Sequence, residues 1–171
     1  MKIVLEGETL EEQLEHAKRL IEKYRMDKLT GLYRRDDFDE TITRFISEFN
    51  SKRKDFLVAL VDLNDLHNLN YTHGYDYGDD KLVQLADSLL EVFDKSLIYR
   101  IGGDEFAILC RQETYESIYL KLDSLGCRDH IEFGIVDTIG KDLSHTKGKH
   151  FVKEAHAILT SHKREKKIAR K

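Results

Sequence analysis

Between Tyr99 and Leu109 the chain reads Tyr-Arg-Ile-Gly-Gly-Asp-Glu-Phe-Ala-Ile-Leu, two glycines and two acids set between apolar runs. Glycine permits a tight reversal and close backbone approach to a ligand. Gly102 and Gly103 therefore read as the turn of a hairpin with Asp104 and Glu105 at its tip. A third acid, Asp62, closes the unbroken apolar run 56–61, which reads as a buried central strand. If these strands are neighbours, the acids converge on one sheet edge and repel each other unless a cation joins them. Mg²⁺ or Mn²⁺ is the natural occupant. Such ions hold a triphosphate, lower the pKa of an attacking hydroxyl and stabilise a leaving pyrophosphate. The polar stretch after Asp62 supplies backbone N–H groups for phosphate oxygens. Lys163 and Lys167, one helical turn apart, can neutralise the outer phosphates. Taken singly, each residue also has a plain reading as a turn, loop or cap; their joint occurrence in this order is harder to treat so.

These residues must be positioned by surrounding elements. Thr9 with Glu12 is a capping box, and Leu10, Leu14, Ala17, Ile21 and Tyr24 recur at helical spacing to about Arg25. That stripe packs either on its own domain or on a second chain. Asp36 is expected to cap a helix with Phe38, Ile42, Phe45, Ile46 and Phe49 on one face. After the strand at 56–61 comes a polar loop, and then Asp79 opens a helix with Leu82, Leu85, Ala86, Leu89, Leu90 and Phe93 inward. The hairpin follows, then a helix at 113–124, a strand at 131–136 and a last helix marked by Phe151, Val152, Ala155, Ile158 and Leu159. The order predicts an α+β fold, an antiparallel-rich sheet with helices packed on one face.

Composition narrows the function classes. The chain has 171 residues, 35% charged and 40% hydrophobic, which suits one soluble domain. No apolar run reaches membrane-spanning length and no signal peptide is visible. Two cysteines, Cys110 and Cys127, make neither a metal pattern nor a disulfide framework, so a reducing cytoplasm is expected. A net charge of −4 does not suggest a nucleic-acid binder. The basic tail 163–171 reads equally as a solvated helix end or a phosphate contact.

The chain resembles the GGDEF domain family, the diguanylate cyclases. The resemblance runs from about Asp27 to Lys167. It rests on Asp27-Lys28-Leu29-Thr30-Gly31-Leu32, on Val61-Asp62-Leu63-Asn64 with Asn70, Gly74 and Gly78-Asp79, and on Arg100-Ile101-Gly102-Gly103-Asp104-Glu105-Phe106. It divides the chain into a leading segment with an amphipathic helix, 1–26, and the domain proper, 27–171. It implies a nucleotide-cyclase and polymerase-palm type of fold with a ferredoxin-like core. It also implies condensation of two GTP into cyclic di-GMP with release of pyrophosphate, across a homodimer formed at least transiently.

By the same resemblance Asp62, Asp104 and the Leu63 carbonyl are metal ligands, and Glu105 assists the metal or the hydroxyl. Asn70 and Asp79 read guanine. Leu66 and His67 line the phosphate loop, with Lys163 and Lys167 on the triphosphate. An Asp accepts from the guanine N1–H and N2–H₂ groups, a donor pair that adenine lacks.

The chain departs from the family pattern at several positions. Asn64 stands where a second acid is usual. Leu66-His67 replaces Phe-Lys, removing a permanent charge. The Ser-x-Gly strand motif is Glu132-Phe133-Gly134, and His156 and Thr160 replace Asp and Tyr in the last helix. Phe93-Asp94-Lys95-Ser96 stands where many relatives carry Arg-x-x-Asp, so no inhibitory product site is expected. Only about 26 residues precede the first motif, too few for a sensor domain. An active cyclase leads; a GTP-binding domain without turnover and a related nucleotidyltransferase with another product are the alternatives.

Overall fold

The computed structural model describes residues 9–169, apart from the side chains of residues 166, 167 and 169. A five-stranded sheet has the order β1-β3-β4-β2-β5. Its strands are β1 (Tyr33–Arg34), β2 (Leu57–Leu63), β3 (Ile98–Arg100), β4 (Glu105–Cys110) and β5 (Ile131–Asp137). The helices are α1 (Leu10–Arg25), α2 (Arg35–Lys52), α3 (Leu66–His73), α4 (Tyr75–Val92), α5 (Tyr115–Asp123) and α6 (Gly148–Ala169). Every pairing is antiparallel except the short parallel contact of β1 with β3.

Helices cover both faces of this sheet, not the one face expected. All seven residues of β2 are buried. A strand shielded from water on both sides has no polar alternation, and its run 57–61 shows none. Leu57, Ala59, Val61 and Leu63 point to one core with Leu82, Leu85 and Leu89 of α4 and Ile118 and Leu122 of α5. Val58 and Leu60 point to the other, with Phe38, Ile42 and Phe45 of α2 and Phe151, Ala155 and Leu159 of α6. Gly134 makes the second face tight: a Cβ there would lie 2.2 Å from the Ala155 carbonyl oxygen. Only glycine lets α6 lie this close to β5.

Three boundaries differ from the sequence reading. α2 opens at Arg35 with Arg34 as its N-cap, which makes no side-chain cap bond. Asp36 lies in the first turn, where its charge faces the positive helix end. The polar stretch after Asp62 is largely helical, and α4 starts at Tyr75, so Asp79 sits a turn inside it. Gly74, at φ +91°, makes the corner between α3 and α4.

The capping box of α1 forms as expected: the Glu12 N–H donates to the Thr9 hydroxyl and the Thr9 N–H to the Glu12 carboxylate. None of the residues of α1 is buried, and Leu10 and Leu14 are 82% and 53% exposed. The stripe does not pack on its own sheet. The C-terminal end of the helix is tied down. The Tyr33 hydroxyl donates to Glu22 at 2.6 Å, and Arg25 pairs with Asp37 while lying 5.3 Å from the centre of the Tyr33 ring.

Candidate active site

The sheet register builds the site. Asp62 of β2 pairs directly with Glu105 of β4 on one side and Glu132 of β5 on the other. Directly paired residues project to the same face, so three carboxylates form one row beneath α6. Asp62 and Glu132 are buried, at 8% and 3% exposure. Burial pushes the Asp62 carboxyl above its ordinary value, and Asp104 and Glu105 push it the same way, against the pull of Lys163. Asp104 stands at the end of the turn, where its carbonyl accepts the Leu63 N–H at 3.0 Å and ties the hairpin tip to the end of β2.

The signature turn is closed by Ile101 N–H and Gly102 N–H, both donating to the Glu105 carbonyl at 2.9 and 3.3 Å. Arg100 braces it from behind. One terminal nitrogen donates to the Gly103 carbonyl at 2.7 Å and the other to Asp27 at 3.0 Å. Asp27 also accepts the Thr30 N–H at 2.9 Å and the Thr30 hydroxyl at 2.8 Å. Burial works against the Asp27 charge, but the Thr30 donors and Arg100 outweigh it and hold the carboxyl below its ordinary value. The motif at 27–32 is thus the anchor of the hairpin tip. Its residues are visible in the sequence; the brace itself, between residues 73 apart, is not.

α6 brings a lysine and a histidine to the row. Lys163 pairs with Asp62 and His156 with Glu105. The Lys167 side chain lies outside the described residues. Among the described residues no group of three or more His, Cys, Asp or Glu is arranged to hold a metal. Asp62, Asp104 and the Leu63 carbonyl offer only oxygen donors, the type that a hard cation takes. Mg²⁺ commonly takes only one or two carboxylates and completes its shell with water and phosphate oxygens.

Asn70 and Asp79 come from α3 and α4. The Asn70 Oδ1 is buried and has no hydrogen-bond partner among the described residues. It lies against Gly78, where a Cβ would fall 1.8 Å away; glycine opens that space next to Asp79, which is exposed. An enclosed acceptor without a donor is costly. Leu66 and His67 open α3, so the expected phosphate loop is a helix N-terminus, a feature that favours anions.

The chain belongs to the family described as "Diguanylate cyclase, GGDEF domain", which matches residues 24–169. Among curated relatives, the probable diguanylate cyclase DgcC of Escherichia coli K12 is 29% identical over 104 residues, 60% of this chain and 28% of that protein. The cyclic di-GMP phosphodiesterase NbdA of Pseudomonas aeruginosa is 31% identical over 99 residues, 57% of this chain and 13% of that protein. The chain therefore spans less than a third of either relative. A solved coiled-coil and GGDEF-domain structure of DgcB from Caulobacter crescentus, in complex with c-di-GMP, superposes with a TM-score of 0.81 at 20% identity. The match covers 91% of this chain and 89% of that one, and it shows a shared fold.

Proposed function

We propose that residues 27–171 form the catalytic domain of a diguanylate cyclase. It would join two GTP into one cyclic di-GMP with loss of two pyrophosphates. The observation that carries this is the backbone tie between Asp104 and the end of β2, together with the electrostatic push of Asp104 on the Asp62 carboxyl. Asp62, Asp104 and the Leu63 carbonyl would hold Mg²⁺ or Mn²⁺. The bound ion supplies charge stabilisation at the α-phosphate and acidifies the attacking hydroxyl. Asn70 and Asp79 orient guanine. Leu66 and His67 present the N-terminal N–H groups of α3 to the phosphates. Lys163 and Lys167 balance the triphosphate charge. In each half-reaction a 3′-oxygen bonds to the α-phosphorus of the partner's GTP and the bond to pyrophosphate breaks. Glu105 would assist the metal or accept the hydroxyl proton.

The reaction needs two domains face to face. Leu10, Leu14, Ala17, Ile21 and Tyr24 alternate at spacings of four and three, the seam of a two-helix coil, and α1 leaves that seam uncovered. A weak homodimer, assisted by ligand, follows. At the position of the usual product-binding arginine stands Phe93; Asp94 there accepts from the Ser96 N–H and hydroxyl. The chain would therefore lack tight feedback binding of cyclic di-GMP at that turn. No described helix is long and apolar enough to cross a membrane, and a cytoplasmic setting fits the substrate.

A second reading, GTP binding without turnover, has one observation in its favour: both Asp62 and Glu105 already hold side-chain partners from α6, Lys163 and His156. The test is incubation with GTP, ATP or both plus Mg²⁺, with products identified by mass spectrometry and Asp104→Ala alongside. Cyclic di-GMP from GTP alone, lost in the variant, supports the cyclase. Bound GTP with no product supports the second reading, and an adenine-containing product overturns both.

A further inference from the structure

The cyclase reading leaves one contact of α6 without a task. His156 Nε2 meets Glu105 Oε1. A carboxylate oxygen accepts, so the ring nitrogen is the donor. The other oxygen lies on the turn itself. A Cβ on Gly102 would fall 2.8 Å from Glu105 Oε2, 3.2 Å from its Cβ and 3.4 Å from its Cγ. The Glu105 side chain thus runs along the bare Cα of Gly102 and ends on the imidazole. It is 22% exposed, so a ligand can still reach it.

The backbone that carries the imidazole is fixed as well. Ala155, the residue before it, is buried beneath α6 with its carbonyl against Gly134 of β5. A donor on a packed backbone keeps its place and removes the rotamer freedom of the group it holds. Glu105 needs such a hold, because Asp62 is its direct partner in register and like charges so placed push each other aside. Asp, which the family pattern has at position 156, would add to that repulsion; the hold belongs to the histidine. We propose that His156 is a positioning residue for the reaction: its ring N–H fixes the Glu105 carboxylate along the signature turn, in the orientation it presents to the attacking 3′-hydroxyl. The proposal rests on the cyclase reading, and it gives Glu105 the hydroxyl rather than the metal.

The sign of one rate change tests it. If His156 merely occupied Glu105, its removal would free the carboxylate and raise turnover. If it aims Glu105, removal lowers turnover. Cyclic di-GMP formation is followed on the full chain with GTP and Mg²⁺, at protein concentrations where specific activity no longer rises. His156→Ala is expected to lower kcat about tenfold, the scale of lost support behind a reacting group. KM should stay within about threefold, since the loss falls on the transition state. Calorimetric binding of 3′-deoxy-GTP, which lacks the attacking hydroxyl, should likewise be unchanged. His156→Gln, whose amide N–H has similar reach, should restore kcat to within about threefold of the parent. Thermal melting verifies folding, and His156→Leu carries the same test if the Ala variant does not fold. Unchanged or higher kcat in the variants without a donor overturns the proposal, and so does a Gln variant as slow as Ala. Weaker 3′-deoxy-GTP binding at unchanged kcat overturns it too, by giving the pair to the metal or the nucleotide. Failure of the parent to form cyclic di-GMP overturns the cyclase reading and this proposal with it.

Discussion

The two faces of the sheet differ at one row. Beneath α4 and α5, β2 ends as it began, with Val61 and Leu63 in the apolar core beside Phe106, Ile131 and Phe133. Beneath α2 and α6 the same strand runs Val58, Leu60, then Asp62, flanked by Glu105 and Glu132. One face is packed along its whole length. The other gives up packing at its last row and gathers like charges there, an arrangement that costs stability. The contrast assigns stability to one face and chemistry to the edge of the other.

Substitutions on each face should therefore move different quantities. Asp62→Asn should reduce cyclic di-GMP formation by at least roughly a hundredfold, by loss of a metal ligand, in the GTP turnover assay. It should also raise the melting temperature in metal-free buffer at neutral pH. The Asp62 pKa is raised by burial, so its ionised form penalises the native state. That penalty is full above the raised value and is relieved as pH falls through it. The stabilisation by Asn should accordingly vanish towards acid pH. A variant both inactive and less stable would erase the contrast.

Phe106→Ala, at the same end of the sheet but on the packed face, should cost about 3–5 kcal/mol in urea unfolding. Any GTP binding should persist while the protein stays folded. Arg100→Ala should be intermediate. It removes charge-assisted bonds to Asp27 and the Gly103 carbonyl, about 1–3 kcal/mol, and should slow turnover with little change in core packing; loss of stability alone would make the brace structural only. The pH arm of the same brace is smaller. The depressed Asp27 carboxyl stabilises the fold fully above its ordinary value of 3.8, and that contribution is lost as pH falls through its lower folded value. The stability gap between the parent and Asp27→Asn should thus narrow only below about pH 4. The least effect is expected at Cys110, whose thiol burial pushes up to about 12. It should resist thiol reagents at pH 8 until the protein unfolds.

Local chemistry was legible in the sequence. The capping box at Thr9 and Glu12, the run ending at Asp62 and the glycine turn before Asp104 each lie within a few residues of their partners. The helix at 66–73 was not legible, because its polar residues carry no apolar period and its N-cap, Asp65, makes no side-chain cap bond. The second helical layer was implied by the unbroken apolar run of β2. The pairing of Lys163 with Asp62 spans 101 residues, and Glu132 joins the row only once the register of β5 is known. Such contacts come from topology, which no local pattern spells out.

Gly134 carries a further consequence. With 2.2 Å between a would-be Cβ and the Ala155 carbonyl oxygen, the helix and the strand lie too close for any side chain between them. Both His156 and Lys163 take their height above the sheet from that contact. Position 134 is therefore a caliper for the carboxylate edge. Anyone transplanting this edge into another scaffold would have to carry the glycine along with the acids, since a single methyl group there would lift Lys163 and His156 off their partners.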